Sequence, residues 1–449
     1  MKEAFSRIHR RLGDFWWYSL LLFLALRVGD VINAFVGLWL VPRYVPQAEL
    51  GAVTPLLQIT GVLGLPITIL VITFTKFLNR YQALGEAGKV KSLIRSFFIC
   101  GPVAIVIGSA AALLLMPHFF ERIRVASGSL GVIVIAAAVL GTTAPVFTNA
   151  LQALKKFKAL TVMNLLSAPV RLVVMLVAMP FRALSGYMLG QAAPSAFQIV
   201  WSCFSIRREV HRSIRAEPFW RSDRREIMRY AVRVTLWVSI GTVIAAVQTM
   251  IIRQRLPEIE SAAYYMISRF AEVSAYFGLT MAVVMFPMAA EAHTKKGDSL
   301  GLLIRTTVSN LVVGGLCVAA LAVFGKCVMW RIPLWSAYAP YTWDMVLLAV
   351  VTVVSMTISN FNSFEAANNR FGFLSYGMVL SVLHLAVLVC FTGYGFFRGV
   401  LPDAAVEWMA SLGLCRLRNI LLLNLAALSA NCFVAIIHVI CRERRNRPR

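Results

Sequence analysis

The segment VPQAELGA, residues 45–52, returns as LPEIESAA at residues 256–263, about 211 residues later. Two further short matches keep the same order at nearly the same offset: Leu93–Arg95 with Leu303–Arg305, and Ala153–Leu160 with Ala367–Leu374. Three matches in one order at one offset indicate an internal duplication. Internal duplication is a common origin of two-lobed membrane proteins.

The composition indicates a membrane protein. The chain is 59% hydrophobic and only 14% charged, whereas an ordinary soluble domain is roughly 25% charged. The mean hydropathy is +0.74. Apolar runs of nearly the ~20 residues needed to cross the hydrocarbon core recur along the whole chain.

We predict twelve membrane spans from these runs. They cover residues 15–40, 51–75, 96–117, 129–150, 159–181, 183–205, 230–252, 264–288, 306–328, 341–362, 372–396 and 417–440. All are expected to be α-helices, because lipid satisfies no backbone hydrogen bonds and the runs are too long for barrel strands. The predicted fold class is therefore an all-α polytopic membrane protein.

The duplication divides the predicted spans into two six-helix lobes. These lobes are residues 1–206 and 230–449, joined by a basic cytoplasmic linker at residues 207–229. An even number of spans returns the chain to its starting side, so the two halves enter from the same face. The repeats are therefore predicted to be parallel, related by a pseudo-two-fold axis along the membrane normal.

The basic residues predict the orientation. Most of the 44 Lys and Arg residues lie in loops on the N-terminal side of the membrane, so both termini are predicted to be cytoplasmic. The first span is too long for the apolar region of a signal peptide and is interpreted as a transmembrane helix. The net charge of +24 lies on membrane-flanking loops and forms no continuous face, so no nucleic-acid partner is predicted.

Several activities find no support in the sequence. There is no phosphate-binding loop, and the longest cytoplasmic connection, Arg207–Glu226, is too short for a nucleotide-binding domain. The six histidines show no metal-ligand spacing, and the eight cysteines show no C-x-x-C pair. Asp403 and Glu407 are interpreted as the polar face of a short interfacial helix and not as an acid/base pair. We therefore predict no metal, no cofactor and no enzymatic activity.

Charged side chains inside spans are costly and normally face a cavity or a partner. Arg27 and Asp30 stand three residues apart on one helix face, and Arg269 and Glu272 repeat this cation–anion pair. The remaining candidates are two further arginines and four polar side chains: Arg171, Arg233, Asn33, Tyr276, Asn360 and Asn362. Each has a structural alternative. In that alternative, the two pairs only neutralise their own charges. Arg233 would then extend to lipid phosphate at the membrane surface, and the polar side chains would form hydrogen bonds between helices.

The sign of these charges favours an anionic ligand. Four arginines stand against two carboxylates, so the interior is predicted to be net cationic. Arginine binds phosphate oxygens through two parallel hydrogen bonds, which lysine does not provide.

Two segments resemble a known family. Pro46–Gly51 resembles the P-x-x-E-x-G element of polysaccharide flippases in the multidrug/oligosaccharidyl-lipid/polysaccharide exporter superfamily. Thr75–Gly88, leading into Lys89 and Leu93–Arg95, resembles the cytoplasmic loop between their second and third helices. The resemblance extends over essentially the whole chain in length, span count and two-lobe layout.

The resemblance implies a carrier of lipid-linked oligosaccharide, in which two lobes form a V that opens alternately to each side. It also implies that the first two spans of each lobe line the cleft, so Arg27 and Arg269 are expected to face it. The charges at Arg27, Asp30 and Arg269 look similar to those lining the cavity of lipid-linked peptidoglycan precursor flippases. This chain lacks the two extra C-terminal helices of those flippases, which puts a peptidoglycan role in doubt.

The sequence thus predicts a flippase of the cell inner membrane that serves surface polysaccharide synthesis, such as the O-antigen of lipopolysaccharide. Its substrate would be undecaprenyl-pyrophosphate-linked oligosaccharide, moved from the cytoplasmic to the exterior leaflet. The pyrophosphate would lie against Arg27, Arg171, Arg233 and Arg269, and the sugars against Asn33, Tyr276, Asn360 and Asn362. Asp30 and Glu272 would orient the arginines or couple transport to an ion. The expected partners are the lipid-linked glycan, membrane lipids, a polysaccharide polymerase and chain-length machinery.

Other functions remain open at this point. An ion-coupled drug/cation antiporter of the same superfamily would use Asp30, although it favours an acidic or aromatic cleft. A membrane-embedded glycan transferase or ligase would need catalytic residues on a sizeable exterior loop. A non-transporting assembly scaffold would have intramembrane charges that pair off and leave no cavity. The driving force would be the membrane potential, at ~2.3 kcal/mol per charge per 100 mV, or a proton or sodium gradient.

Overall fold

The described chain is helical almost throughout. The computed structural model describes residues 24, 27–93, 95–96, 113–114, 117–121, 123–125, 129–153, 156–210, 219–275, 299–367, 372–392 and 416–446. Within those ranges there is no β-strand, and seven helices are long and apolar enough to cross a membrane. The predicted all-α polytopic class is confirmed.

Eleven longer helical segments are labelled here in chain order. In the first half, α1 covers residues 27–44 and includes a π-helical turn at Val36–Leu40; the others are α2 (Val53–Ala83), α3 (Leu130–Ala153), α4 (Phe157–Ala178), α5 (Ala183–Val210) and α6 (Phe219–Arg255). In the second half they are α7 (258–275), α8 (Ser299–Arg331), α9 (Thr342–Ala367), α10 (Phe373–Thr392) and α11 (Leu417–Asn446). Most of predicted span 96–117, the end of 264–288, and Asp403 with Glu407 lie outside the described residues.

Several of the described helices extend beyond their predicted spans at the predicted cytoplasmic side, and α2 and α6 are two examples. The helix α2 has 31 residues and α6 has 37, whereas about 20 residues cross the hydrocarbon core. The helix α6 begins at Phe219 and α5 ends at Val210, so both enter the predicted linker. A helix satisfies its own backbone hydrogen bonds, so it continues beyond the membrane where no Pro or Gly interrupts it.

The packing order repeats between the halves. In the first half, α5 packs against both α3 and α4, and in the second half α11 packs against both α9 and α10. The helices α3 and α9 correspond by the sequence offset, since they begin at Leu130 and Thr342, 212 residues apart. The duplicated sequence therefore builds the same local helix arrangement twice.

The chain divides into two compact units. One contains Met1–Pro46 and Leu56–Ser239, and the other contains Gln47–Pro55 and Ile240–Arg449. The division falls inside α6, so this helix contributes its first part to one unit and its last part to the other. The lobe boundaries at residues 206 and 230 stay predictions.

The two copies of the duplicated motif pack against each other within the second unit. The Nη2 of the buried Arg253 donates to the carbonyl oxygen of Ala48 at 2.9 Å, and the hydroxyl of Ser261 donates to that of Gly51 at 3.4 Å. A Cβ atom at position 51 would overlap the side chain of Ser261. Glycine is therefore required there by the close approach of the two copies.

Candidate functional site

The first candidate pair forms on α1. The Nη1 of Arg27 lies 3.0 Å from the Oδ2 of Asp30, and both side chains are half-buried. Residues three apart on a helix share a face, so the pair follows directly from the local sequence. Asn33, a further three residues along, lies near the same stripe.

Arg171 reaches this stripe from α4. Its Nη1 donates to the Oδ1 of Asn33 at 2.6 Å, across 138 residues of sequence. Its Nε is buried and has no hydrogen-bond partner within the described part of the chain. Three candidates from two separate predicted spans, Asp30, Asn33 and Arg171, thus meet in one place.

These three side chains line a cavity of about 290 Å³ inside the first unit. Its other lining residues come from α1, α4 and α5: Gly29, Asn164, Ser167, Ala168, Gln191, Pro194, Ser195 and Gln198. Two of the polar residues are already linked, since Gln198 Nε2 donates to Ser167 Oγ at 3.0 Å. The cavity is polar on several sides, and polar groups of this kind fix the orientation of a ligand.

The charges around the cavity are unequal in sign. Asp30 is matched by Arg27 through their ion pair, whereas Arg171 bonds to a neutral amide. Among the described residues, one positive charge therefore remains in excess. In a low-dielectric setting such a charge strongly favours an anion, and the surrounding amides and hydroxyls offer both donors and acceptors to a polyhydroxyl ligand.

Sequence reasoning missed most of the cavity's neutral lining. Asn164, Ser167 and Arg171 follow at i, i+3 and i+7 on α4, and Gln191, Ser195 and Gln198 follow at i, i+4 and i+7 on α5. Both patterns are the one-face spacing of a helix. This spacing of polar residues in two neighbouring apolar spans could therefore have predicted the neutral lining of the cavity.

The candidates of the second unit are arranged differently. Arg269 Nη2 lies 2.6 Å from Glu272 Oε1, and its guanidinium lies 5.3 Å from the ring centre of Tyr265. Asn360 on α9 is fully buried, and neither atom of its amide has a hydrogen-bond partner among the residues described. Asn362 is half-buried, and Tyr276 lies outside the described residues. That Arg27 and Arg269 face one cleft stays a prediction.

Arg233 lies apart from the cavity of the first unit. It is exposed on α6 and is absent from the cavity lining.

Side-chain contacts join α6 to the end of α2. Arg80 Nη1 lies 2.6 Å from Glu226 Oε2, and the hydroxyl of Tyr81 donates to Asp223 Oδ2 at 2.6 Å. The hydrogen bond to Glu226 raises the pKa of Arg80. Burial, followed by the hydrogen bond to Asp223, raises the pKa of Tyr81. Both groups therefore stay protonated at physiological pH.

Within the described ranges, no three His, Cys, Asp or Glu residues lie close enough together to bind a metal ion. Five cysteines in those ranges carry free thiols: Cys203, Cys317, Cys327, Cys390 and Cys432.

Solved structures with the same fold are transporters. The chain is 15% identical to an outward-facing multidrug resistance MATE family transporter of the MOP superfamily, covering 98% of this chain and 99% of that one at a TM-score of 0.68. It is 13% identical to a Vibrio cholerae MATE transporter, with 98% of both chains covered and a TM-score of 0.66. A MOP superfamily transporter from Pyrococcus furiosus, described as having a binding pocket of reverse polarity that suggests a different function, is 12% identical, with 94% of both chains covered and a TM-score of 0.69.

No protein-family model matches the sequence. No curated protein matches it either. The likeness to solved structures at low identity shows the fold, which is the two-lobed, polytopic fold of MATE transporters. The predicted fold class is confirmed to that level.

Proposed function

We propose that the chain is a flippase that moves prenyl-pyrophosphate-linked oligosaccharide from the cytoplasmic to the exterior leaflet by alternating access. The observation that carries this proposal is the unequal charge of the cavity: among the described residues, Asp30 is matched by Arg27, while Arg171 bonds to the neutral Asn33. A phosphate group supplies the missing negative charge, and guanidinium groups bind it in two-pronged geometry. The amides around Arg171 suit sugar hydroxyls.

The roles of the individual residues follow the sequence prediction. Arg27, Arg171, Arg233 and Arg269 serve the pyrophosphate at successive stages of transport, while Asn33, Tyr276, Asn360 and Asn362 serve the sugars. Asp30 and Glu272 orient the arginines or couple transport to an ion. The protein acts without a cofactor in the cell inner membrane with both termini cytoplasmic, beside a polysaccharide polymerase and chain-length machinery.

A drug/cation antiporter is the second candidate. The fold, shared with multidrug transporters, fits it equally well, and Asp30 in the cavity lining is a carboxylate that a cation would use. An organic cation, however, would meet the excess positive charge of Arg171. The two functions therefore differ in the sign of the ligand.

Transport in proteoliposomes separates the two candidates. Purified protein is reconstituted with a fluorescent lipid-linked oligosaccharide, and its movement is followed by access of a membrane-impermeant oxidant to the sugar. A flippase moves the substrate, and organic cations do not compete. Transport of an organic cation together with absent lipid transport would replace the proposal by the antiporter. Absence of both activities would favour a scaffold, and transfer of the glycan to an acceptor would reveal a ligase.

Arg269 tests whether the second pair serves the substrate or only the helix. We expect Arg269→Ala to abolish transport at unchanged membrane levels, and Arg269→Lys to restore it in part, since lysine lacks the two-pronged geometry. The double variant Arg269→Ala/Glu272→Ala removes both partners of the pair. Full transport by the double variant would show that the pair only neutralises itself.

A further inference from the structure

The predicted cytoplasmic part of α6 presents two different faces. Ile227, Tyr230 and Val234 are buried, and Asp223 and Glu226 are engaged by Tyr81 and Arg80. This side of the helix is therefore committed to packing within the first unit.

The opposite face is exposed and carries two parallel ridges. Arg225, Arg229 and Arg233 follow at i, i+4 and i+8 and are all exposed, and we call them the basic ridge. Met228, Val232 and Leu236 follow at the same spacing and are exposed as well, and we call them the apolar ridge. Residues four apart align along a helix, so the basic ridge lies beside the apolar ridge.

The depth of the ridges follows from the helix itself. Arg255 at the far end of α6 and Arg225 are 30 residues apart, or ~45 Å at 1.5 Å per residue. This length matches the ~40–45 Å thickness of a bilayer that includes both headgroup layers. With Arg255 at one headgroup layer, Arg225 and Arg229 reach the other, and Arg233 lies at the edge of the hydrocarbon.

The carboxylates nearest in sequence do not cancel this charge. Asp223 accepts the Tyr81 hydroxyl at 2.6 Å and lies 3.6 Å from Lys89 Nζ. Glu226 is paired with Arg80. Among the described residues, Arg225 and Arg229 of the basic ridge therefore present positive charge at phosphate depth, directly beside apolar side chains.

We propose that this surface is the loading site for the substrate's prenyl diphosphate, with the diphosphate on the basic ridge and the first isoprene units along the apolar ridge. The inference rests on the proposed function and assigns that function's entry step to α6. A diphosphate carries more charge than a phosphodiester headgroup, so it gains more from several guanidinium groups in a row. A polyprenyl chain needs an apolar track that starts at its phosphate.

Direct binding tests this site. The full-length protein is placed in phosphatidylcholine nanodiscs, and the dissociation constant for farnesyl diphosphate is measured by thermophoresis. We expect Arg225→Gln/Arg229→Gln to weaken binding about tenfold or more, which corresponds to ~1.4 kcal/mol. The matched control is Arg95→Gln/Arg305→Gln, which removes two exposed arginines elsewhere and should leave binding unchanged. Inorganic pyrophosphate, which lacks the chain, should bind much more weakly than farnesyl diphosphate.

Several results would overturn the inference. Equal loss in the control variant would show a general effect of surface charge, and unchanged binding in the ridge variant would show that the site lies elsewhere. Displacement of farnesyl diphosphate by an equal mole fraction of phosphatidylglycerol would show a surface for ordinary anionic lipids. Transport of lipid-linked oligosaccharide in proteoliposomes is measured in parallel. If the unaltered protein transports no lipid-linked oligosaccharide, the proposed function is wrong. If the ridge variants transport it as fast as the unaltered protein, only the loading site is wrong.

Discussion

The surroundings of the polar side chains differ between the two units. In the first unit, Asp30, Asn33 and Arg171 surround a cavity of about 290 Å³. In the second unit, Asn360 is enclosed by protein with both amide atoms unpaired among the described residues. A duplicated framework with the same packing order therefore carries two different interiors.

One difference between the two interiors lies at Arg171. The offset of 214 that relates Phe157 to Phe371 places Leu385 opposite Arg171. Each unit has an i, i+3 ion pair, Arg27–Asp30 and Arg269–Glu272, but the two pairs are 242 residues apart and do not correspond by the offset. The packing order of the helices thus repeats between the halves, while the polar side chains of the two interiors differ.

Removal of Arg171 is expected to have the largest effect. Arg171→Leu deletes the excess charge of the cavity, and a hydrogen bond to a charged group contributes ~1.5–3 kcal/mol. Transport should therefore fall about tenfold to hundredfold. Arg171→Lys should recover part of it, as measured by the initial rate in proteoliposomes. Leu385→Ala at the corresponding place of the second unit is the control, and an equal loss there would remove the distinction between the interiors.

The helix pattern was predictable from the sequence, while the cavity was predictable only in part. Length and hydropathy were enough to place α3, α4 and α9, because crossing a bilayer requires about 20 apolar residues in a helix. The ion pairs were predictable because they are local. The contact between Arg171 and Asn33 spans 138 residues and depends on how α4 packs beside α1, which no local pattern determines.

Close packing offers a second comparison, between Gly64 of the first unit and Gly51 of the second. A Cβ atom at Gly64 would overlap the Cγ2 of Thr142, and one at Gly51 would overlap the side chain of Ser261 and lie 3.0 Å from its carbonyl carbon. Overpacking costs ~1–3 kcal/mol, so both Gly→Ala changes should lower the thermal midpoint.

Rescue should distinguish the two glycines. Thr142→Ser removes the methyl group that the new Cβ of Gly64→Ala would overlap. The double variant Gly64→Ala/Thr142→Ser should therefore regain most of the stability lost by Gly64→Ala. Ser261→Gly should restore only part of the stability lost by Gly51→Ala, because the backbone at position 261 remains close. Complete rescue at both positions in thermal unfolding would contradict the difference in backbone proximity.

The surface ion pairs give a smaller effect. Arg80 pairs with Glu226, whose side chain is 52% exposed, whereas Arg418 pairs with Asp344, whose side chain is 7% exposed. Arg80→Ala leaves a solvated carboxylate and should cost less than ~1 kcal/mol. Arg418→Ala leaves a buried one and should cost ~1–3 kcal/mol. Chemical denaturation of both variants in one detergent checks this order, and an equal cost would show that carboxylate burial is not decisive.

Asn360→Leu should have the smallest effect on stability and the opposite sign. A buried amide without partners is unfavourable, and leucine has the same branching at Cγ without polar atoms, so the substitution removes the desolvation penalty. Polar interactions inside membrane proteins average only ~0.6 kcal/mol, so a rise of that order in the free energy of unfolding is expected. The half-buried Asn362 is the control, since Asn362→Leu should leave the midpoint unchanged. A lower midpoint for Asn360→Leu would show that the amide is satisfied in the membrane. A higher midpoint with lost transport would assign Asn360 the contact with the sugar, because a group kept at a cost to stability is then kept for its ligand.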